Sequence, residues 1–572
     1  MNNTKLQYLL VFLLSLASFL PAATSVGIFQ VSEAREGVVV QHILATNNWI
    51  LPLRHGVIVP SKPALFHWIG ASMAQVFGDY NLLLLRLPSM LAASVMLVYF
   101  FKFAKCLLGN FHATLSVMAL LTTFGFFNLA VDGRVDMIFA SFVFISISIW
   151  LRNAIEVEQE RRHYRDIDEI TYSLVAICCG FAVLTKGPLG LALPALTIFL
   201  IAYGLWGFYG ALSTIRISWV FAIALPAIWY YLAWEQGGDA FVQRHFFFEN
   251  LKRFSGGAGV NQKPWWFYLS HFWGQAAPWS FLFFVPAVIK KIYQNLKQNN
   301  PTILSLVIWI ASSFLLFSFS SGKRRAYLLP LLPPTILLLS IIIRDLTESY
   351  ESKRIVTKLR EWLEWPYERL ILSFSPFLLV VFSYLLANIL NTFAHTQRVK
   401  MALDAFLQTS SAHSVGACVL LLSLSTLCFL VLNFALKRRN VEYFFLAVLI
   451  INLQIVAIVL PLFSSIKSIT HSMASLTELA SKAVPEGERL TAIKYFKDES
   501  LDVFFYLYNR PTSILRPSQL AKLNTGYYIA PVKYLSRVNK AADSSGKIVN
   551  RLAVGKRPSD NDEESFVIFT VQ

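Results

Sequence analysis

Charge is what this sequence has little of. Asp, Glu, Lys and Arg make up only 15% of its 572 residues, while 56% are hydrophobic and the mean hydropathy is +0.54. A soluble chain of this length cannot bury that much apolar surface, because its surface-to-volume ratio limits the buried fraction. Cysteine is equally scarce. Cys106, Cys178, Cys179, Cys418 and Cys428 all fall in apolar runs, without a CxxC or a Cys/His spacing, which argues against a disulfide scaffold or a zinc framework. Internal repeats and low-complexity tracts are missing too, so nothing in the sequence suggests an inverted-repeat transporter.

What the sequence does have is one long apolar run after another, the mark of membrane-spanning helices. The pattern predicts thirteen spans, at about 6–28, 83–105, 112–130, 136–152, 171–186, 188–207, 217–234, 276–290, 301–320, 326–343, 370–390, 413–436 and 441–462. The first could instead be a cleaved signal peptide, with Lys5 preceding its apolar core; an uncleaved helix is the reading adopted. With the N-terminus in the cytoplasm, the cytoplasmic connections hold Lys102 and Lys105, "RRHYR" (161–165), Lys290 and Lys291, "SKRIVTKLR" (352–360) and "KRR" (437–439). All obey the positive-inside rule. The net charge of +17 therefore reports orientation, and nucleic acid is not expected as a partner.

The fold class expected is a polytopic α-helical membrane protein with a small C-terminal soluble α/β domain. The membrane domain covers 1–465, with large outer loops at 29–81 and 235–275, and the soluble domain covers 466–572. In that tail "RLTAIKYF", "LDVFFYLY" and "SFVIFTVQ" read as short strands, with helical patches between.

A few basic residues break the rule. Lys62, Arg134, Lys186, Arg253 and the run Lys323, Arg324, Arg325 fall on the outer face, beside helix ends. Arg and Lys are the natural partners of phosphate, so an anionic headgroup at the outer interface would account for them. Carboxylates return to the same face: Glu33 in the first loop, and Asp132 and Asp136 around the turn "VDGRVD". Ionisable groups at a membrane boundary are functional candidates. A carboxylate can take a proton from an incoming hydroxyl, and cations stabilise a departing phosphate. The blander readings are a helix-start acid at Glu33, a surface ion pair between Asp132 and Arg134, a snorkelling Lys186, and an interfacial aromatic belt in "KPWWFYL".

Several short stretches, in one order, resemble a known family. "SEAR" (32–35), "NWILPL" (48–53), "SKPALFHW" (61–68), "RLPSML" (86–91), "GRVDMIFASF" (133–142), "LTKGPLGLALP" (184–194), "ENLKRFSG" (249–256) with "KPWWFYL" (263–269), and "SGKRRAYLLPLLPP" (321–334) are similar to signatures of the membrane-embedded GT-C glycosyltransferases, in particular protein O-mannosyltransferases and lipid A aminoarabinose transferases. The resemblance covers residues 6–345.

It implies an inverting transfer from a polyprenyl-phosphate-linked sugar to a lipid A, glycan or protein acceptor, on the periplasmic face of a bacterial inner membrane. It implies no cofactor. By position, Arg35, Lys62, Arg253, Tyr327, Lys323 and Arg324 would hold the donor phosphate, with Arg86, Arg134, Lys186 and Glu249 in the cavity. The usual first acid of the family is Ser32 here, which moves the expected base to Glu33, with Asp136 as the second acid; Glu36 receives no role. Positions that bind a divalent metal in some members are Ser61 and Leu328, so no metal is expected. The rival readings are a lipid-to-glycan ligase, a phosphoethanolamine transferase, and a lipid or glycan flippase. A flippase would carry charges deep within its spans, and here they sit at helix ends.

Overall fold

A computed structural model describes residues 3–28, 30–54, 58–252, 263–347, 366–393, 414–438, 441–455, 473–493, 501–508, 510, 512–515, 517–555 and 565–572. Among these, nine helices are long and apolar enough to cross a membrane: Thr4–Thr24, Leu82–Leu121, Val135–Gln159, Glu169–Lys186, Leu189–Leu212, Ile217–His245, Pro301–Phe319, Arg325–Thr347 and Glu368–Leu385. Leu421–Lys437 is a shorter apolar helix. Helices suit these runs because a chain in hydrocarbon must satisfy its backbone polar groups internally.

The helices that position the site are α1 (Asn3–Ser25), α2 (Val31–Thr46) and α3 (Leu65–Phe77) in the first loop, α4 (Leu82–Leu121), α5 (Phe124–Ala130), α6 (Val135–Gln159) and α7 (Glu169–Lys186). Their packing is aromatic and aliphatic, with Trp150, Trp309, Phe100 and Phe144 fully buried and Phe144 stacked on Trp309 at 5.7 Å. Small hydroxyls stitch the helices together: Ser141 Oγ on α6 donates to the Ala92 carbonyl of α4 at 3.0 Å.

Two expected spans are not single helices. The stretch 112–130 continues α4, which is helical from 82 to 121 except at Gly109 (φ 76), and then breaks before α5. Thr122 and Thr123 donate their hydroxyls back to Met118 and Ala119 carbonyls, competing with the helix ladder, and Thr123 turns extended (ψ 124). The stretch 276–290 holds a 3₁₀ turn at Trp279–Phe284 and a separate helix, Pro286–Lys297. Pro286 forces Val285 before it into an extended conformation (ψ 116), ending the turn.

The tail folds as an α/β unit around a mixed sheet of β1 (Leu490–Ile493), β2 (Thr512–Leu515), β3 (Gly526–Pro531), β4 (Val549–Gly555) and β5 (Phe566–Val571), ordered β2-β1-β3-β5-β4. β1 runs parallel to β2 and β3, and β5 antiparallel to β3 and β4. "LDVFFYLY" is a helix, Leu501–Tyr508, rather than the strand expected from its sequence. Its aromatics fall at helical spacing, with Phe504 stacked on Tyr508 at 5.5 Å. Its buried residues Val503, Phe504 and Tyr506 join one apolar cluster with Ala34 and Val38 of α2. Gln41 of α2 donates to the Tyr506 carbonyl at 3.0 Å. The tail is thus docked on the first loop.

Candidate functional site

The segments expected on the outer face meet at one end of the bundle. A chain of contacts proves the convergence: Glu33 accepts from the Gly133 amide at 3.0 Å, Asp136 pairs with Lys186 at 2.6 Å, and Lys186 lies over the Tyr327 ring at 4.3 Å. Lys323 Nζ donates to the Lys263 carbonyl at 3.4 Å, and Trp229 to the Ile50 carbonyl at 2.9 Å. The opposite end gathers Lys105, which donates to Gln7, and Arg344, which donates to the Leu107 carbonyl.

Local sequence explains how each charge arrives. The "TKGP" turn ends α7: Gly187 takes φ 78 and Pro188 cannot donate a backbone hydrogen bond, which leaves Lys186 as the last helical residue, with its ammonium clear of the ladder. Gly133 sits where two elements nearly touch. A Cβ there would lie 2.7 Å from Leu85 Cγ and 3.0 Å from the Leu85 carbonyl, so only glycine lets the amide reach Glu33. Asp136 occupies the first turn of α6, where a negative charge complements the helix N-terminus.

Two ion-pair systems result. In the first, Arg86 of α4 grips Glu33 with both arms of the fork, Nε to Oε1 at 2.6 Å and Nη2 to Oε2 at 2.9 Å. Its remaining nitrogen, Nη1, donates to the Ala23 and Val26 carbonyls at the end of α1. Both side chains are buried. In the second, Asp136 is bridged between Lys186 and Arg134 (2.9 Å), and Arg134 also reaches Asp132 at 3.4 Å. Lys186 is further held over the Phe139 ring at 4.7 Å. Asp132 Oδ1 is buried and meets no donor among the described residues. Burial pushes the Asp132 carboxyl up to about 7; Arg134 opposes the rise and the Glu33 charge adds to it.

A third pairing had no place in the sequence reading. Glu36 accepts at Oε2 from His67 Nε2 of α3 at 2.8 Å, and both side chains are buried. Burial alone would raise the Glu36 carboxyl; the hydrogen bond and charge of His67, with the charges of Arg35 and Lys62, outweigh it and hold Glu36 below the usual range.

The remaining expected residues are distributed around these pairs. Arg35 and Lys62 are half-buried and bear electrostatically on Glu36. Arg324 and Arg325 are exposed; the Arg324 amide donates to the Tyr268 hydroxyl at 3.2 Å, and its charge bears on Asp136. Lys323 is buried against the Ser320 carbonyl at 2.5 Å, and desolvation lowers its ammonium from the ordinary value. Arg253, the side chain of Glu249 and the basic stretch 352–360 lie outside the described residues. Ser61 and Leu328 offer no charged ligand, and among the described residues no three His, Cys, Asp or Glu side chains gather as a metal set.

Residues 61–244 match the family model described as dolichyl-phosphate-mannose-protein mannosyltransferase. An undecaprenyl phosphate-α-4-amino-4-deoxy-L-arabinose arabinosyl transferase of Pseudomonas fluorescens (strain Pf0-1) is 28% identical over 317 residues, 55% of this chain and 53% of that one. The enzyme of that name from Photorhabdus laumondii is 24% identical over 329 residues, 55% of each chain. The chain spans little more than half the length of these curated relatives. The crystal structure of ArnT from Cupriavidus metallidurans bound to undecaprenyl phosphate superposes with a TM-score of 0.71 at 16% identity, covering 98% of this chain and 97% of that one. The protein resembles this family in sequence over residues 61–244 and shares the fold of ArnT along its length.

Proposed function

We propose that the protein is a membrane-embedded glycosyltransferase that moves a sugar from a polyprenyl-phosphate-linked donor to a lipid A, glycan or protein acceptor, at the periplasmic face of a bacterial inner membrane and with inversion at the anomeric carbon. One observation carries this reading: Arg35, Lys62, Arg134, Lys186 and Arg324 converge on buried acids at one end of an apolar bundle, beneath a docked soluble domain. Such an arrangement suits a lipid whose tail lies in the membrane and whose phosphate lies at its edge. The positive-inside pattern supports a periplasmic position for that end.

In this reading Arg35, Lys62, Lys323, Arg324 and Tyr327, with Arg253, hold the donor phosphate, and the cations stabilise the charge that gathers on it as the glycosidic bond breaks. Arg86, Arg134, Lys186 and Glu249 line or support the cavity. Neither expected base turns freely to an acceptor: Glu33 is engaged by Arg86 and Gly133, and Asp136 by Lys186 and Arg134. The chemistry needs no cofactor, since the donor carries its own leaving group. The names of the relatives make undecaprenyl-phosphate-linked 4-amino-4-deoxy-L-arabinose the first donor to try.

The test is a pair of measurements. The purified full-length protein should bind undecaprenyl phosphate. A deletion strain should lack one sugar on lipid A, a surface glycan or an envelope protein, read by mass spectrometry against the parent. Failure to bind the lipid phosphate, together with an unchanged envelope, would refute the reading.

A further inference from the structure

Four carboxylates meet at this end of the bundle, and what differs among them is the chemistry of the partner. Glu33 faces the Arg86 guanidinium, Asp132 the Arg134 guanidinium, and Asp136 the Lys186 ammonium as well as Arg134. A guanidinium stays protonated in proteins, so each of these three carboxylates faces a lasting positive charge, which at Asp132 does not outweigh burial. Of the four, Glu36 alone is hydrogen-bonded to an imidazole, His67. An imidazole is the side chain that both gives and takes a proton near neutral pH.

The geometry orders the pair. The Glu36 side chain keeps 11% of its surface open, against 2%, 6% and 5% for Glu33, Asp132 and Asp136, while His67 behind it keeps 1%. The other ring nitrogen of His67, Nδ1, is buried and has no hydrogen-bond partner among the described residues. The groups facing Glu36 come from several elements: Arg35 on its own helix, His67 on α3, Lys62 just before α3, Arg134 in the 131–134 turn, and Tyr80 ahead of α4. The hydrogen bond and charge of His67, with the charges of Arg35 and Lys62, keep Glu36 ionised in spite of its burial.

Building on the glycosyltransferase reading, we propose that Glu36, backed by His67, accepts the proton of a hydroxyl acceptor. The acceptor oxygen attacks the anomeric carbon, and the carbon–oxygen bond to the phosphate breaks with its electron pair, releasing polyprenyl phosphate. The hydroxyl proton passes to Glu36, and from there to water as the product leaves. Glu36 is the catalytic residue and His67 a positioning residue that sets the carboxylate's angle and charge. The assignment also names the acceptor chemistry, because a neutral hydroxyl needs a base and an anionic phosphate oxygen does not.

The full-length protein in nanodiscs tests this, with undecaprenyl-phosphate-linked aminoarabinose as donor and membranes of the deletion strain as acceptor source. Glu36→Gln preserves the hydrogen bond to His67 and removes the basicity, so turnover should fall by about 10²–10⁴-fold. Undecaprenyl phosphate should bind this variant as tightly as the wild type. His67→Gln should lose less and should displace the acid limb of the rate–pH profile, which a merely structural histidine would leave in place. The proposal is overturned if Glu36→Gln turns over normally, if it loses lipid phosphate binding along with turnover, or if the His67→Gln profile superposes on that of the wild type. A wild-type protein that binds no undecaprenyl phosphate defeats the underlying function instead, and the proposal with it.

Discussion

Glu33 and Glu36 belong to one helix and one turn of it, yet they are held in opposite ways. Glu33 is clamped by a bidentate guanidinium and a backbone amide, and its partner Arg86 ties three segments together through the Ala23 and Val26 carbonyls. Glu36 rests on a single imidazole and keeps an open edge. The residue type is the same, and both side chains are buried, Glu36 less deeply. What differs is whether the partner's charge is permanent. A carboxylate locked to a fixed cation organises a structure; one resting on a titratable ring can exchange a proton. The Glu33 junction is the frame of the site and the Glu36 junction its working edge.

The largest effect should come from breaking the frame. Arg86→Ala leaves the Glu33 carboxylate buried without its countercharge, a loss of about 3–5 kcal/mol. The variant should accumulate poorly and melt well below the wild type in detergent. If instead it is stable and merely inactive, Glu33 is a reacting group and the contrast with Glu36 collapses.

A smaller loss, confined to the working edge, is expected of Lys62→Ala. Removing one charge-assisted contact to a phosphate costs about 1.5–3 kcal/mol, or roughly ten- to more than a hundredfold in affinity for undecaprenyl phosphate. Melting should change little, since Lys62 is half-buried and outside the Arg86 frame. Wild-type affinity in a lipid-binding titration would remove Lys62 from the phosphate site.

How much of this could be read from the sequence follows from what each feature depends on. Spans were legible because hydrocarbon imposes long apolar helices, and the motif order told which segments converge. Helix breaks at Thr122–Thr123 and Val285–Pro286 were hidden, because apolar residues continue across them. "LDVFFYLY" misled because seven apolar residues in eight fit a period of two about as well as one of 3.6. The pairings were out of reach: Glu33 and Arg86 lie 53 positions apart, Glu36 and His67 31. Nothing local marks either couple.

Asp132 tests the boundary between the two junctions through pH. Its carboxyl titrates near 3.8 when exposed and is raised to about 7 in the fold, so the folded state binds the proton more tightly. Stability from this group is complete below pH 3.8, is lost as pH rises towards 7, and stays lost above it. Asp132→Asn has no such loss. The difference in melting temperature between variant and wild type should therefore move in the variant's favour between pH 5 and pH 8. A difference that does not change with pH would mean that Arg134 neutralises Asp132 fully, and that the acid belongs with the frame.

The smallest effect should come from Tyr506, where the tail covers both junctions. Its ring packs so closely over α2 that a Cβ on Gly37 would come within 2.5 Å of it, and it meets Tyr80 edge-on at 6.3 Å. Its hydroxyl is buried, has no partner among the described residues, and lies within the electrostatic reach of Glu33 and Arg86. Burial pushes that hydroxyl's titration upward, and the Glu33 charge pushes it the same way. Tyr506→Phe keeps the ring and removes only the unpaired hydroxyl, so stability should stay within about 0.5 kcal/mol of wild type or rise slightly. Gly37→Ala is the opposite probe, because it keeps the hydroxyl and forces the ring away, and it should loosen the tail from the first loop, read as faster proteolysis between the two. If Tyr506→Phe lowers turnover while leaving stability alone, the hydroxyl meets a substrate, and the working edge extends from Glu36 across the helix into the soluble domain.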